Sequence, residues 1–214
     1  MHIPSKMCIF AGDLLILSRG RTNFMNEMKI SLLKIARKKE VIKRLELSEL
    51  ADMIRKNPDE SKVFNLRLNY QFCKPQRMSD GQIVLDDQLH TVSLPRILFA
   101  AECMNYKKMQ KGLRYNGLVV VEVNGLKMYE EAVNIRNQAS RMDETVMAFL
   151  GASGKSVKIV CRGELFGTSP NPSEGGEKLP TKEDDIRQFH KNLYETARRA
   201  YQNQFGFDIE YLEP

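Results

Sequence analysis

The run GLVVVEVNGL, Gly117 to Leu126, constrains the fold more than any other stretch of the chain. Its near-continuous β-branched residues suit a strand covered on both faces, since a strand with one wet face would alternate apolar with polar residues. The run is therefore expected in the middle of a mixed or antiparallel sheet, with helices packed against it. Downstream segments supply the remaining parts. YEEAVNIRNQASRM reads as a helix from the spacing of Ala132, Ile135 and Ala139, and VMAFLGASGKSVKIVC reads as two strands about a glycine-rich turn. TKEDDIRQFHKNLYETARRAYQNQFG is a strong helix. Thr181 is its expected cap, acids fill its first turn, Phe189, Leu193, Ala197 and Ala200 form one face, and Gly206 follows its end. FDIEYL would return to the sheet as a last strand.

The segment FLGASGKSVKIVCRG, Phe149 to Gly163, contains the Gly-Lys-Ser that closes a nucleotide-cradling P-loop. A P-loop requires a glycine five positions before that Gly-Lys pair, where this chain has Phe149, and Gly151 leaves the loop too short. It also requires a following helix whose N-terminus faces the phosphates, whereas SVKIVCRG is rich in β-branched residues and reads as a strand. The tripeptide is expected to be a hairpin turn.

Upstream of these elements the pattern is weaker. KISLLKI reads as a short strand, ARKKEVIKRLE as a basic segment, and ELSELADMIRKNPD as a helix with Ser48 as cap and Asn57-Pro58 as its stop. From about 61 to 90 no clear period emerges, apart from a small hairpin suggested by DGQIVLDDQ. VSLPRILFAAECMN leads into the basic, turn-rich loop YKKMQKGLRYNG. GTSPNPSEGGEKLP is too rich in glycine and proline to bury much, so a mobile loop is expected at about 166–181. MCIFAGDLLILS is apolar but too short to span a bilayer, Asp13 interrupts it, and no small-residue cleavage site follows. Residues 1–24 are expected to be a leader or upstream extension, with disorder one expectation for it, and residues 25–214 the main domain.

A chain of 214 residues with 42% hydrophobic and 28% charged content is long enough for one good core. The formal net charge of +6 leans toward an anionic partner, and a solvated basic surface is the plain alternative. Cys8, Cys73, Cys103 and Cys161 form no C-x-x-C pair, so neither zinc nor a disulfide framework is indicated, and a reducing cytoplasm fits. His2, His90 and His190 are equally scattered.

Taken in order, YNGLVVVEVNGL, a helix, FLGASGKSVKIV, a loop, a long helix and FGFDIEYLEP resemble the primase-like N-terminal domain of mobile-element proteins of gut bacteria. That domain often stands ahead of a virulence-associated protein E type ATPase. The order is also similar to the catalytic half of archaeo-eukaryotic primases. The resemblance covers Arg114 to Pro214, with weaker support from LPRILFAAECMN. It implies an α+β fold: a split βαβ, RRM-like sheet of the primase catalytic core with helices mainly on one face.

The family's first strand ends in a D-x-D pair, two carboxylates on one face of a strand that hold divalent metals. The matching positions are Glu122 and Asn124, and a third acid falls at Glu210, or at Asp208 if the register slips. These acidic positions are degenerate, so a complete two-metal site is absent, no cofactor is expected, and Mg²⁺ or Mn²⁺ would bind weakly at best, at Glu122. On the hairpin, Ser153, Lys155 and Lys158 are the implied nucleotide or phosphate contacts, Lys158 standing where many primases have histidine and Ser156 replacing the second glycine. Lys107, Lys108, Lys111 and Arg114, interleaved with Tyr106 and Tyr115, suit backbone neutralisation and base stacking. Relatives continue past the last acid, so the chain resembles a truncated member.

The resemblance implies a cytoplasmic, nucleic-acid-binding domain of a mobile-element replication or mobilisation protein, with polymerising activity lost or strongly weakened. Its partners would be single-stranded or duplex DNA and an ATPase or helicase, with no membrane. The alternative is a protein-interaction or regulatory module that keeps the fold, and an active DNA primase is the less favoured reading.

Overall fold

The computed structural model describes residues 7–8, 14–16, 22–36, 39–56, 60–72, 76–77, 83–84, 91–92, 94–103, 113–163 and 179–206. In chain order these form β1 (Met7–Cys8), β2 (Leu14–Ile16), α1 (Thr22–Glu27), β3 (Lys29–Ala36), β4 (Lys39–Glu46), α2 (Leu47–Lys56) and α3 (Glu60–Phe72). Five short strands follow, β5 (Gln76–Arg77), β6 (Ile83–Val84), β7 (Thr91–Val92), β8 (Arg96–Leu98) and β9 (Ala101–Cys103). The remainder is β10 (Leu113–Tyr115), β11 (Leu118–Val123), α4 (Tyr129–Ala139), β12 (Thr145–Leu150), β13 (Val157–Arg162) and α5 (Glu183–Phe205). The chain is thus mixed α and β, with antiparallel strand pairing throughout the described sheets.

The sheet that positions the candidate site has the order β11, β13, β12, β2. β13 pairs antiparallel with both β11 and β12, so those two strands, joined by α4, lie on either side of it. Among the described residues β13 and β12 are therefore the inner strands and β11 an end strand, which corrects the expectation that the run at 118–123 lies in the middle. The further strand expected in FDIEYL falls at 207–212, outside the described residues.

Alternation along the strands divides the sheet's two faces. Val119, Val121 and Val123, with Ala148, Leu150, Val157, Ile159 and Cys161, pack against Ala132, Ile135 and Ala139 of α4 and Leu193, Tyr194, Ala197 and Tyr201 of α5. Leu118, Val146, Phe149 and Val160 turn to the opposite face and pack with Met25, Ile30, Leu32, Leu47, Leu50, Ile54, Ile97 and Phe99. The expectation of helices mainly on one face holds for α4 and α5, but the other face is covered too, by α1, α2 and strands of the second sheet, ordered β1, β8, β3, β4. Asn116 ties the two sheets. Its amide donates to the carbonyls of Lys29 (3.0 Å) and Phe99 (2.5 Å), and its side-chain oxygen accepts from Leu118 N–H at 3.1 Å.

Several local expectations are revised. Two pieces of the presumed leader at 1–24 are strands: β1 pairs with β8, and β2 extends the central sheet beside β12. The basic segment ARKKEVIKRLE contributes β4, which pairs along its length with β3. Ser48 lies inside α2, and it is Glu49 that reaches back to accept the Glu46 N–H at 2.8 Å, the carboxylate half of a capping box. Likewise the N-cap of α5 is Lys182, without a side-chain cap bond, rather than Thr181. At its other end Gly206 takes the left-handed conformation, φ 70°, that lets its N–H bond the Gln202 carbonyl. The mobile loop expected at about 166–181 falls, except for residues 179–181, outside the described residues.

α5 carries a pH-sensitive contact. His190 sits against Tyr115, whose hydroxyl lies 3.0 Å from its Nδ1, and burial pulls the imidazole down to about 4. Unfolded, the ring takes up its proton near pH 6.5; folded, it stays neutral until about pH 4. Between those values the unfolded chain binds more protons, so stability falls as the pH drops through this window, by about 2 kcal/mol once the ring's part-exposed edge is allowed for. Urea unfolding at pH 7 and pH 4 should show this loss, and His190→Phe should flatten it. An unchanged pH profile in the variant would refute the assignment.

Candidate functional site

β11 and the β12–β13 hairpin meet at one end of the central sheet. Their register sets Glu122 opposite Lys158 and Val123 opposite Val157, after which both chains turn away. On the hairpin, Leu150 faces Val157 and Phe149 faces Lys158, leaving residues 151–156, GASGKS, as the turn. Gly-Lys-Ser is thus a hairpin turn followed by a strand, as the sequence predicts.

That turn is internally bonded. Gly151 N–H donates to the Ser156 carbonyl at 2.8 Å, Gly154 N–H to the Gly151 carbonyl at 2.9 Å, and Lys155 N–H to Ser153 Oγ at 3.2 Å. Gly154 has φ 73°, a conformation that glycine adopts without a Cβ penalty. Leu126 N–H donates to the Lys155 carbonyl at 3.3 Å, which pins the connection between β11 and α4 to the turn. Asn124, in that connection, and Ser153 and Lys155 of the turn therefore share one end of the sheet, each part-buried.

One residue pair inward, Lys158 Nζ lies 2.6 Å from Glu122 Oε1, with side chains only 2% and 7% exposed. Both belong to the face turned away from α4 and α5, because they alternate with Val121, Val123, Val157 and Ile159, which pack on those helices. The sequence thus led to two side chains that the fold does bring together. Their closeness limits what they can do separately: an ammonium group at hydrogen-bonding distance already compensates the carboxylate that a metal would need. Asn124, the other position of the acidic pair, supplies no charge. Among the described residues no three His, Cys, Asp or Glu side chains cluster as a metal would require. Glu210 lies outside the described residues.

Only part of the basic loop falls among the described residues. Lys107, Lys108, Lys111 and Tyr106 fall outside the described residues, while Arg114 is exposed on β10, opposite Glu102 of β9. β10 leads into the start of β11, so Arg114 is removed from the hairpin turn by about 20 Å, the length of a six-residue strand. Tyr115 is not a base-stacking platform. It is buried, packs edge-on against Phe189 and His190, and burial drives its phenol far above the usual range. The Tyr201 hydroxyl forms a similar interior contact, 2.5 Å from Thr145 Oγ1 and 3.4 Å from the Cys161 thiol, which burial pushes up to about 12. Cys103 and Cys161 are both free and buried, so the thiols that are described serve packing.

Sequence reasoning missed Arg67. It lies on α3, in a stretch without apolar period, and reaches the hairpin turn beside Gly154 and Tyr129. Its only sequence signal was an arginine on a helix that periodicity did not reveal. No helix among the described residues is long and apolar enough to cross a membrane.

The model of the family described as BT4734-like, N-terminal domain, matches residues 90–214, which is more than half of the chain. That span holds β11, α4, the hairpin and α5 but not α3. No curated protein matches the chain, and no solved structure does.

Proposed function

The chain belongs to the BT4734-like N-terminal domain family, and we propose that it is a primase-like, nucleic-acid-binding domain of a mobile-element replication or mobilisation protein. In this reading polymerising chemistry is lost or strongly weakened. The observation that carries it is the Glu122–Lys158 pair at 2.6 Å. A strand acid and a hairpin side chain that the resemblance to primases singles out stand together on the sheet face turned away from α4 and α5, yet they neutralise each other. Two features support the reading. β11, α4 and β12 with β13 set between the strands is a split βαβ arrangement, and α5 covers the same face as α4. Lys155, in the turn beside one end of β11, and Arg114, on the strand that leads into the other end, are basic groups that would neutralise phosphates along a backbone, in a chain of net charge +6.

Chemically, a small hard cation gives up few of its waters unless charged oxygens replace them. One carboxylate held by lysine, beside an amide, offers too little charge. Synthesis on a single-stranded template with Mn²⁺ and nucleotides is accordingly expected to be absent, and measured primer synthesis by the unmodified chain would overturn the claim of lost activity.

Binding of a fluorescent single-stranded oligonucleotide across a salt series tests the main reading. Affinity should fall on a log–log plot with a slope of about −0.7 per phosphate neutralised, so three or four contacts give a slope near −2 to −3. A flat salt dependence, or no binding at low salt, would reject a nucleic-acid role. The second reading, a module that docks a protein such as a replication ATPase or helicase, is favoured by one observation: Phe64 and Leu68, one helical turn apart on α3, are 64% and 44% exposed. We place the domain in the cytoplasm under either reading.

A further inference from the structure

Among the described residues, Arg67 of α3 approaches the hairpin turn from the N-terminal part of the chain. A Cβ placed on Gly154 would lie 3.4 Å from Arg67 Nε and 3.6 Å from both Arg67 Cδ and Tyr129 Cδ2. The guanidinium carbon is 5.6 Å from the centroid of the Tyr129 ring. The guanidinium is thus seated between an aromatic ring and the turn, and the missing side chain of Gly154 gives it room.

Within that seat Nε and Nη2 are shielded from water and have no hydrogen-bond partner among the described residues. These are the two nitrogens of the guanidinium's side edge, the edge that grips two oxygens of one oxyanion with parallel hydrogen bonds. Donors withdrawn from water and left unpaired are unfavourable by an amount comparable to the bonds they lack, and more so on a cation. A ring contact offsets part of this but supplies no acceptor in the guanidinium plane.

We propose that Arg67, with Ser153 and Lys155 of the hairpin turn, forms a binding site for a phosphate group. Phosphate fits better than a lone carboxylate. It has oxygens enough to engage the Arg67 edge and still meet the Lys155 ammonium and the Ser153 hydroxyl on the part-buried turn. Tyr129, 38% exposed, stands beside the guanidinium, 5.6 Å from its carbon to the ring centroid, and so sets an aromatic ring next to the proposed phosphate position. Arg67 stands outside residues 90–214, so the site joins the family's hairpin to a helix beyond the matched span. The proposal deepens the nucleic-acid reading, on which it rests for the source of the phosphate, although the same chemistry serves a free nucleotide.

The experiment uses the full chain, melted in sodium pyrophosphate, in ATP, or in sodium acetate at matched ionic strength, together with anisotropy of a fluorescent oligothymidylate. Pyrophosphate should raise the melting temperature above the acetate control. Arg67→Gln should abolish that rise, and Arg67→Lys should keep part of it, since an ammonium lacks the planar fork. For the oligonucleotide, Arg67→Gln should weaken binding about tenfold and reduce the salt slope by about 0.7. An Arg67-dependent response to ATP alone assigns the site to a free nucleotide, and one to the oligonucleotide alone assigns it to a backbone phosphate; both support the site. If Arg67→Gln does not fold, Arg67→Lys and Lys155→Gln carry the comparison. Responses to every phosphate probe that are equal in the variants and the unmodified chain overturn the proposal. Oligonucleotide binding that is strong but indifferent to Arg67 would overturn it while leaving the nucleic-acid reading standing.

Discussion

Glu122→Ala and Lys158→Ala are each expected to lower stability by about 3–5 kcal/mol, because each strands the other's charge in an interior that water does not reach. In a chain of this size that corresponds to a fall in melting temperature of about 10 °C or more. The basis is the burial of both partners, 7% and 2% exposed, at a separation of 2.6 Å between two strands whose backbones are already in register. Replacing both, as Glu122→Leu with Lys158→Met, should recover most of the loss, since an apolar pair of similar volume removes the desolvation penalty along with the attraction. The three proteins therefore separate the pair's role in stability from its role in function. The double variant's oligonucleotide binding decides whether Lys158 contributes to phosphate contact or only closes the sheet. Single variants within about 1 kcal/mol of the unmodified chain would show that water reaches the pair, and the compensation argument against a metal would go with it.

The parts of this fold that could be read in advance are those where one periodicity dominates. Val119, Val121 and Val123 meet α4 and α5 while Leu118 meets the other layer, so an almost unbroken apolar run was a sound sign of two covered faces. It could not say which strand lies inside, because strand order depends on pairing between distant segments: β13 comes last of the three yet lies between the other two. α3 escaped notice because, of its side chains whose burial is described, only Val63 and Leu66 are buried, with Phe64 and Leu68 facing outward, so no apolar stripe marks it. Tyr115 misled for a related reason. A tyrosine among lysines suggests a wet stacking platform, but its ring lies on the α5 side against Phe189 and His190, a contact separated by over seventy residues of sequence. At the site, Glu122 and Lys158 were legible as candidates through the resemblance alone. That they form a closed ion pair follows from the register, which the length of the GASGKS turn fixes on one side and the β11–β13 ladder on the other.

Phe149→Ala is the second large effect expected, about 3–5 kcal/mol from the lost apolar contacts and the cavity left behind. Phe149 is fully buried, stands beside Lys158 in the β12–β13 ladder, and lies 6.4 Å from the Phe99 ring, centroid to centroid, at an interplanar angle of 32°. Its cluster draws on Met25, Ile30, Leu47 and Ile54 from the N-terminal part as well as on β11, β12 and β13. The family match begins at residue 90, but this face of its sheet is covered by residues that precede it. The consequence is a test of cooperativity. If the two layers share one transition, Phe149→Ala should reduce the hydrogen-exchange protection of the slowest amides in α2 and in α5 by the same factor, about 10² to a few times 10³. Loss confined to α2 would mean that the sheet with α4 and α5 holds without the N-terminal cover. The face bearing Glu122 and Lys158 could then open while the rest stayed folded, and the argument that this pair is sealed from solvent would fail in solution.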